Sequence, residues 1–271
     1  MRADFHAHSD VSIDCTEPMV ASVQAAIDRG LTGICFTDHC DLIYNDNPQG
    51  GKNEKSYIDW QKSYAEIEAV RARFAGQIEI LHGMELAEIA QDPEGAKVAA
   101  AAPGLDFILG SVHVLPGEQD FYYLKFPNLE TCTDLVDRYL DENIRIARHN
   151  LADVMAHIGY HNRYMKRQGL YVELMNYEDK LRTLFDILIQ NGRGIELNTS
   201  GLRQTVGESF PNLPVLKLYR KCGGEIVTIG SDAHRAADVG SHYDEACDLL
   251  REAGFRYTTI FRQRKPEMIP F

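Results

Sequence analysis

The chain has 271 residues, of which 44% are hydrophobic and 25% are charged. This balance is typical of a globular protein, at a length that one α/β barrel fills as a single domain. The formal net charge of -12 at pH 7 argues against general binding to nucleic-acid backbones, because such binding requires a basic face that displaces counterions.

The sequence contains no apolar run of the roughly eighteen residues that a membrane span requires. Its first residues lead into polar, histidine-rich sequence and do not resemble a signal peptide. We therefore predict a cytoplasmic protein that has neither a membrane nor a nucleic acid as a partner; the sequence leaves its oligomeric state open. No low-complexity linker or internal repeat divides the chain, so residues 1–271 are predicted to form one domain.

Short segments typical of strands alternate with longer amphipathic segments. The predicted strands are, in chain order, residues 3–6, 33–37, 78–84, 106–112, 153–156, 194–198, 225–230 and 255–260. This alternation predicts an α/β fold, and periodicity does not choose between a parallel barrel and a doubly wound sheet. The Asn-, Gly- and Asp-rich stretch at residues 41–55 is interpreted as a long loop over one end of the fold.

Polar residues with metal-binding side chains fall where six of these strands end. They are Asp4, His6 and His8 on the first strand, Thr37, Asp38 and His39 after the second, His82 and Glu85, Ser111 and His113, His157, and Asp232 and His234. In a barrel, the C-terminal ends of the strands meet at one mouth. These widely separated segments are therefore predicted to meet there and to bind metal.

The spacing within the motifs supports chelation. His6 and His8 are two residues apart, which places both imidazoles on one face of an extended segment. No thiolate ligand accompanies them, which argues against a structural zinc site and favours an open catalytic cluster. Mixed imidazole and carboxylate ligands suit zinc, manganese or iron. Such ions lower the pKa of a bound water and polarise phosphoryl oxygens.

Five of these motifs, in order and across nearly the whole chain, resemble the signature of the PHP (polymerase and histidinol phosphatase) family. The resemblance implies a distorted (β/α)7-type TIM-like barrel with a trinuclear metal centre, so that the segment at residues 255–260 pairs outside the barrel or not at all. It also implies three ligand sets: His6, His8, Glu85 and Asp232 for one ion; the bridging Glu85 with His113 and His157 for a second; and His39 and His234 with one more ligand for a third.

The sequence departs from the family pattern at Asp14, where many relatives place a histidine. Asp14 either completes the third metal site or caps a loop before Cys15. We therefore predict two to three divalent ions and include Asp14 among the ligands.

Within the family, residues 196–203 resemble the stretch that distinguishes the histidinol-phosphatase branch. This resemblance makes Arg163 and Arg203 candidate phosphate clamps, since a guanidinium matches two phosphoryl oxygens; either is otherwise an ordinary surface arginine. The catalytic candidates also include Asp232 and His234, which would assist the leaving group. Acidic residues around Asp41 and Glu17 are predicted to face the amine and imidazole of the substrate.

The sequence thus predicts a metal-dependent phosphomonoester hydrolase in which a metal-bound hydroxide attacks phosphorus, with L-histidinol phosphate as substrate. Three alternatives remain open at this point: a PHP phosphoesterase acting on a nucleotide or oligonucleotide end, an amidohydrolase-type barrel, and a non-catalytic metal-binding accessory domain. Amidohydrolases often carry a bridging lysine, and no lysine falls at a predicted strand end.

Overall fold

The computed structural model describes residues 1–43 and 59–271. Its main sheet is parallel, with neighbours in the order β1-β2-β4-β5-β6-β7-β8, and β3 pairs with β4 beyond the end of β2. The strands are β1 (Ala3–Ala7), β2 (Gly33–Phe36), β3 (His39–Asp41), β4 (Glu79–Ala87), β5 (Phe107–Ser111), β6 (Val154–Met155), β7 (Gly194–Asn198) and β8 (Val227–Gly230).

The sheet curves until its first and last strands meet. The backbone amide of Asp232 donates to the carbonyl of His6 at 2.7 Å, and Ala7 forms a parallel bridge with Ala233. Beside this junction, the buried Asp4 carboxylate accepts hydrogen bonds from the Ser231 and Gly240 amides. The result is a nearly closed barrel, which confirms the predicted fold class and decides between the two architectures that periodicity left open.

Helices surround the barrel and supply the outer half of its core. They are α1 (Met19–Asp28), α2 (Trp60–Arg73), α3 (Pro93–Ala100), α4 (Leu129–His149), α5 (Asn162–Arg167), α6 (Glu178–Gln190), α7 (Leu213–Lys221) and α8 (Tyr243–Ala253). None of the described helices has both the length and the apolarity that crossing a bilayer requires.

The longest helix, α4, shows why these segments are helical. The Asn128 side chain accepts a hydrogen bond from the Thr131 amide at the N-terminus, and Asn150 ends the helix in the left-handed conformation. Its apolar stripe faces the barrel, where the hydroxyl of the fully buried Tyr139 lies 3.5 Å from the carbonyl of His157. The helix therefore supports the end of β6 from outside.

The predicted strands agree with the structure except at their edges. The sequence did not indicate β3. Asp41 belongs to this strand, and the predicted loop at residues 41–55 therefore begins later than expected. The part of that loop from residue 44 onward lies outside the described residues. The division into one domain at 1–271 stays a prediction.

The segment predicted to lie outside the barrel does so, and it closes the barrel's N-terminal end. There, β9 (Tyr257–Arg262) and β10 (Lys265–Pro270) form an antiparallel hairpin. Ile260 and Phe261 are buried in an apolar cluster with Phe5 and Phe107 inside the barrel, and the Phe107 and Phe261 rings lie 5.0 Å apart. Burial of this apolar surface helps to hold the hairpin in place, together with hydrogen bonds between the hydroxyls of Thr258 and Thr259 and the backbone of Val227.

Replacing Phe261 with alanine should lower the free energy of unfolding by about 3–5 kcal/mol, because it removes a fully buried ring and leaves a cavity. Urea unfolding of the purified protein measures this change. The matched control is Tyr257→Ala on the same strand, since Tyr257 is 46% exposed and its loss should cost no more than about 0.5 kcal/mol. Equal effects of the two substitutions would show that the hairpin does not seal the barrel through its buried face.

Candidate metal centre

The C-terminal mouth of the barrel gathers the side chains that the sequence placed at strand ends. Four overlapping groups of ligand atoms lie close enough to hold an ion. They are His6, His8 and Asp232; Glu85, His113 and His157; His8, His39 and His234; and His39, Asp41 and His113. They come from the short strand β3, and from the C-terminal parts of β1, β4, β5, β6 and β8 or the residues just after them, so the parallel arrangement of the sheet is what brings them together.

Four ligand atoms face one point at the first group, because Glu85 of the second group reaches it as well. The Nε2 atoms of His6 and His8 are 3.1 Å apart, and Glu85 Oε2 lies 3.3 Å and 3.5 Å from them. Asp232 Oδ1 is 3.8 Å from His6 Nε2 and 3.6 Å from His8 Nε2. A tetrahedral ion with ligand distances of about 2.1 Å has ligand atoms about 3.4 Å apart. The spacing therefore fits a small divalent ion.

The hydrogen bonds behind His8 show which nitrogen is available. The single hydroxyl proton of Ser12 goes to the Asp38 carboxylate at 2.8 Å, so Ser12 Oγ accepts from His8 Nδ1 at 3.1 Å. Burial, with His234 and His39 nearby, lowers the pKa of His8 to about 3, so its imidazole is neutral. Its Nε2 lone pair therefore points at the other ligand atoms, where a cation fits.

Glu85 has one carboxylate oxygen on each side of the centre. Oε2 faces the first group, whereas Oε1 lies 3.1 Å from His113 Nε2 and 2.8 Å from His157 Nε2. Burial alone would raise the pKa of Glu85, but His6, His113 and His39 hold it well below its usual range. An ionised carboxylate in this position can bridge two ions, as the family resemblance implies.

Asp14, the residue that departs from the family pattern, faces the third group. Its Oδ2 atom is 3.1 Å from His234 Nε2 and 3.6 Å from His39 Nε2. Its side chain is half exposed, and His8 lies beside both histidines. The geometry is compatible with Asp14 as a ligand, and this role stays a prediction.

The two candidate arginines lie on either side of Asp232. Arg163, on α5, is largely buried and donates from Nη2 to Asp232 Oδ2 at 2.9 Å and to Ser200 Oγ at 2.5 Å. Arg203 donates to the backbone carbonyls of Ser231 at 2.6 Å and Asp232 at 2.8 Å. Arg163 lines the main cavity, whereas Arg203 lines a smaller one next to it. The phosphate contact of Arg203 stays a prediction.

Arg203 braces an unusual stretch of backbone. Asp232 has a φ of 55°, in the left-handed region that a non-glycine residue seldom adopts. Such a conformation persists only where its surroundings enforce it. The two hydrogen bonds from Arg203 do so, and they hold the Asp232 carboxylate toward the first ligand group.

A cavity of about 560 Å³ opens above the ligand groups. Seven acidic and aromatic residues of its lining are called the acidic and aromatic wall. They are Asp41, Glu88, Asp120, Tyr122, Tyr123, Tyr160 and Tyr164. Asp41 was predicted to face the substrate. The rest of this wall was missed by sequence reasoning; half of it comes from a turn after β5 that no motif marks.

Two residues singled out from the sequence lie away from the cavity. Glu17 was predicted to face the substrate, but its carboxylate accepts a hydrogen bond from the Ala236 amide at 2.9 Å and does not line the cavity. His82 points out of the barrel toward α2, where it stacks on Trp60 at 4.1 Å and lies 2.7 Å from Ser63 Oγ. In the strand, His82 and Glu85 lie on opposite faces, so only Glu85 reaches the mouth.

A model of the PHP domain matches residues 4–200 of the chain. The chain belongs to the PHP family. This membership confirms the resemblance that the motifs indicated.

Relatives within the PHP family match nearly the whole chain. A probable histidinol-phosphatase from Deinococcus radiodurans is 30% identical over 271 residues, covering 97% of both chains. A histidinol-phosphatase from Lactococcus lactis subsp. lactis is 27% identical, covering 97% of this chain and 96% of the other. The fold is similar to the crystal structure of a histidinol phosphate phosphatase from Lactococcus lactis, complexed with zinc, L-histidinol and phosphate. That match has a TM-score of 0.82 at 24% identity and covers 98% of both chains.

Glu85→Ala should remove more than one equivalent of metal from this PHP chain, because the two oxygens of one carboxylate face two ligand groups. Elemental analysis after equilibration with zinc or manganese and removal of free ions measures the loss. The matched control is Glu79→Ala, at the opposite end of the same strand, where Glu79 pairs with Arg262; it should keep the full metal content. A loss of one equivalent or less would make Glu85 a ligand of a single ion.

Proposed function

We propose that this chain is a metal-dependent phosphomonoester hydrolase that acts on L-histidinol phosphate. The observation that carries this proposal is the mixed lining of the cavity. The same cavity is lined by metal-ligand groups, by a buried arginine and by acidic and aromatic side chains. A phosphate ester of a cationic alcohol offers both an anionic and a cationic group to such a lining. The relatives named histidinol-phosphatase support the same substrate.

The phosphate end is the wall that contains Arg163. Bound divalent ions would be held by the overlapping ligand groups and would supply the nucleophile and polarise the phosphoryl oxygens. Arg163 already donates from Nη2 to Asp232 and Ser200, its side chain lines the cavity, and its Nη1 carries donors that take no part in these two contacts. These donors are placed to bind the phosphoryl oxygens that carry negative charge in the transition state.

Protonation of the leaving alkoxide falls to His234 instead of Asp232 in this proposal. Burial alone would raise the pKa of Asp232, but His6 and Arg163 hold it well below its usual range. Asp232 therefore has no proton to give at neutral pH. His234 lines the cavity beside it and is the other of the two groups that the sequence offered for this role.

The cationic end is the acidic and aromatic wall. Asp120 and four tyrosine rings line it, and such rings attract a cation placed over their faces. The Tyr160 and Tyr164 rings lie 5.7 Å and 5.9 Å from the Arg163 guanidinium, so Tyr122 and Tyr123 are the rings for a substrate cation. Burial raises the pKa of Glu88 to about 8, so Glu88 is mostly protonated at pH 7 and Asp120 supplies the negative charge. Within the described residues, no lysine lines the cavity, which disfavours the amidohydrolase alternative.

Phosphate release from a panel of monoesters tests the proposal. The kcat/KM for L-histidinol phosphate should exceed that for p-nitrophenyl phosphate and nucleoside monophosphates by at least about tenfold, a difference of ~1.4 kcal/mol in transition-state binding. Asp120→Asn should remove most of this preference without lowering the rate with p-nitrophenyl phosphate, which has no cation to bind. A nucleotide as the best substrate would reject the substrate assignment.

The same assay on metal-free protein tests the reaction class. Removal of metal by a chelator should abolish turnover, and Mn²⁺, Zn²⁺, Fe²⁺ or Co²⁺ should restore it. Full activity of protein shown by elemental analysis to be free of metal would reject a metal-dependent hydrolase.

Arg163→Met should lower kcat/KM by about a hundredfold at full metal content, as expected when one donor to a phosphoryl oxygen is lost. Arg203→Met should instead lower the metal content, because Arg203 holds the Asp232 backbone. Arg148→Met, at an exposed position on α4, is the matched control and should match the wild type. If Arg203→Met keeps its metal yet loses turnover, Arg203 contacts the phosphate, as the sequence predicted.

A further inference from the structure

The end of β7 carries three fully buried polar side chains, Glu196, Asn198 and Ser200. We infer that Glu196 is a positioning residue: it fixes the ring of His6 and is linked by one chain of hydrogen bonds to Arg163. This inference rests on the proposed function, because it takes His6 as a metal ligand and Arg163 as a phosphate ligand.

The contact with His6 determines which of its nitrogens is free. Glu196 Oε1 lies 2.7 Å from His6 Nδ1. Glu196 Oε2 already faces two N–H donors, on His157 and Asn198, so the carboxylate group is surrounded by donors and Nδ1 of His6 is the third. Nδ1 therefore carries the hydrogen, and Nε2 turns its lone pair toward the ligand group. A carboxylate behind an imidazole fixes the ring's orientation and makes the opposite nitrogen a stronger ligand.

The second oxygen of Glu196 holds a second candidate ligand. Oε2 accepts a hydrogen bond from the backbone amide of His157 at 2.7 Å, and His157 has an unusual φ of 25°. One carboxylate thus fixes the ring of His6 and the backbone of His157, which belong to different ligand groups.

From Glu196 the hydrogen bonds continue to Arg163 in one consistent direction. Arg163 Nη2 donates to Ser200 Oγ, and Ser200 Oγ donates to Asn198 Oδ1, each at 2.5 Å. Asn198 Nδ2 then donates to Glu196 Oε2 at 3.2 Å. Each donor has an acceptor and the chain ends on a carboxylate, so reversing any link would leave a buried polar group without a partner.

The neighbouring strand leaves room for this arrangement. A Cβ atom added to Gly230, at the end of β8, would lie 2.2 Å from Glu196 Oε1 and 2.4 Å from His6 Cβ. Any side chain at residue 230 would therefore push the carboxylate and the imidazole apart. The absence of a side chain there is a structural requirement of the Glu196 to His6 contact.

Replacement of the carboxylate by an amide tests the role of Glu196. In Glu196→Gln, one end of the amide must place its NH₂ group against a donor, either His6 Nδ1 or the His157 and Asn198 donors. Metal affinity should therefore fall by about 10- to 100-fold. Competition against a chromophoric chelator with Zn²⁺ or Co²⁺ measures the affinity, and the visible spectrum of the Co²⁺ protein should change.

Two further variants separate the links of the chain. Ser200→Ala breaks the link to Arg163 and leaves Glu196 against His6, so metal affinity should stay at the wild-type value while the affinity for inorganic phosphate falls several-fold. Glu142→Gln is the matched control, because Glu142 is a buried glutamate that pairs with Arg145 on α4. It should leave metal affinity and the Co²⁺ spectrum unchanged.

Unchanged metal affinity and an unchanged Co²⁺ spectrum in Glu196→Gln would overturn the inference, even if the metal-free variant unfolds more easily. Should Glu196→Gln not fold, Glu196→Asp replaces it: the shorter carboxylate keeps the charge and should keep metal binding at a measurably reduced affinity. Wild-type affinity in Glu196→Asp would show that the contact with His6 is not required. A wild-type protein that binds no divalent metal would reject the proposed function itself, before any variant is compared.

Discussion

The position of the Glu85 carboxylate is the constraint on which the rest of the structure depends. Glu85 is 1% exposed, and an isolated ionised carboxylate in such a place is strongly unfavourable. Here its two oxygens lie 2.8–3.5 Å from ring nitrogens of five histidines, namely His6, His8, His39, His113 and His157. Those histidines come from three strand ends and the short strand β3. The strand ends must therefore converge at this mouth, or the carboxylate loses the partners that keep it ionised.

The two ends of the barrel are stabilised by different kinds of interaction. At the C-terminal mouth, buried charge is compensated by charge, which favours an open, polar cavity. At the N-terminal end, Ile260 and Phe261 of the hairpin fill the barrel with apolar side chains. Ion pairs such as Arg262 with Glu79 surround that hairpin at its solvent-exposed rim, where they contribute little energy. Packing at one end keeps the strands in register, and this register sets the ligand spacing at the other end.

The sequence predicted which side chains meet at the mouth better than it predicted their surroundings. His6, His8, Glu85 and His157 meet there because each lies near the end of a strand, and strand ends converge in a parallel barrel whatever the details of packing. The same logic explains the misses. Asp120 and the tyrosines after β5 lie in a turn without period or motif, and β3 is only three residues long. Glu17 was misplaced because its charge was visible in the sequence, whereas its hydrogen bond to the Ala236 amide depends on tertiary contact.

The local field at the mouth reconciles an acidic protein with an anionic substrate. The chain carries a formal charge of -12, and Asp232 adds a carboxylate beside the proposed phosphate site. The two carboxylate oxygens of Asp232 have different partners, however. Oδ1 faces His6 and His8, whereas Oδ2 accepts a hydrogen bond from Arg163. The aspartate thus neutralises part of the cationic charge on both sides while it fixes the distance between them. When divalent ions are bound, their charge exceeds that of the carboxylates that hold them, and the field that a phosphate meets is positive. Charge at the site, and not the net charge of the surface, decides what binds there.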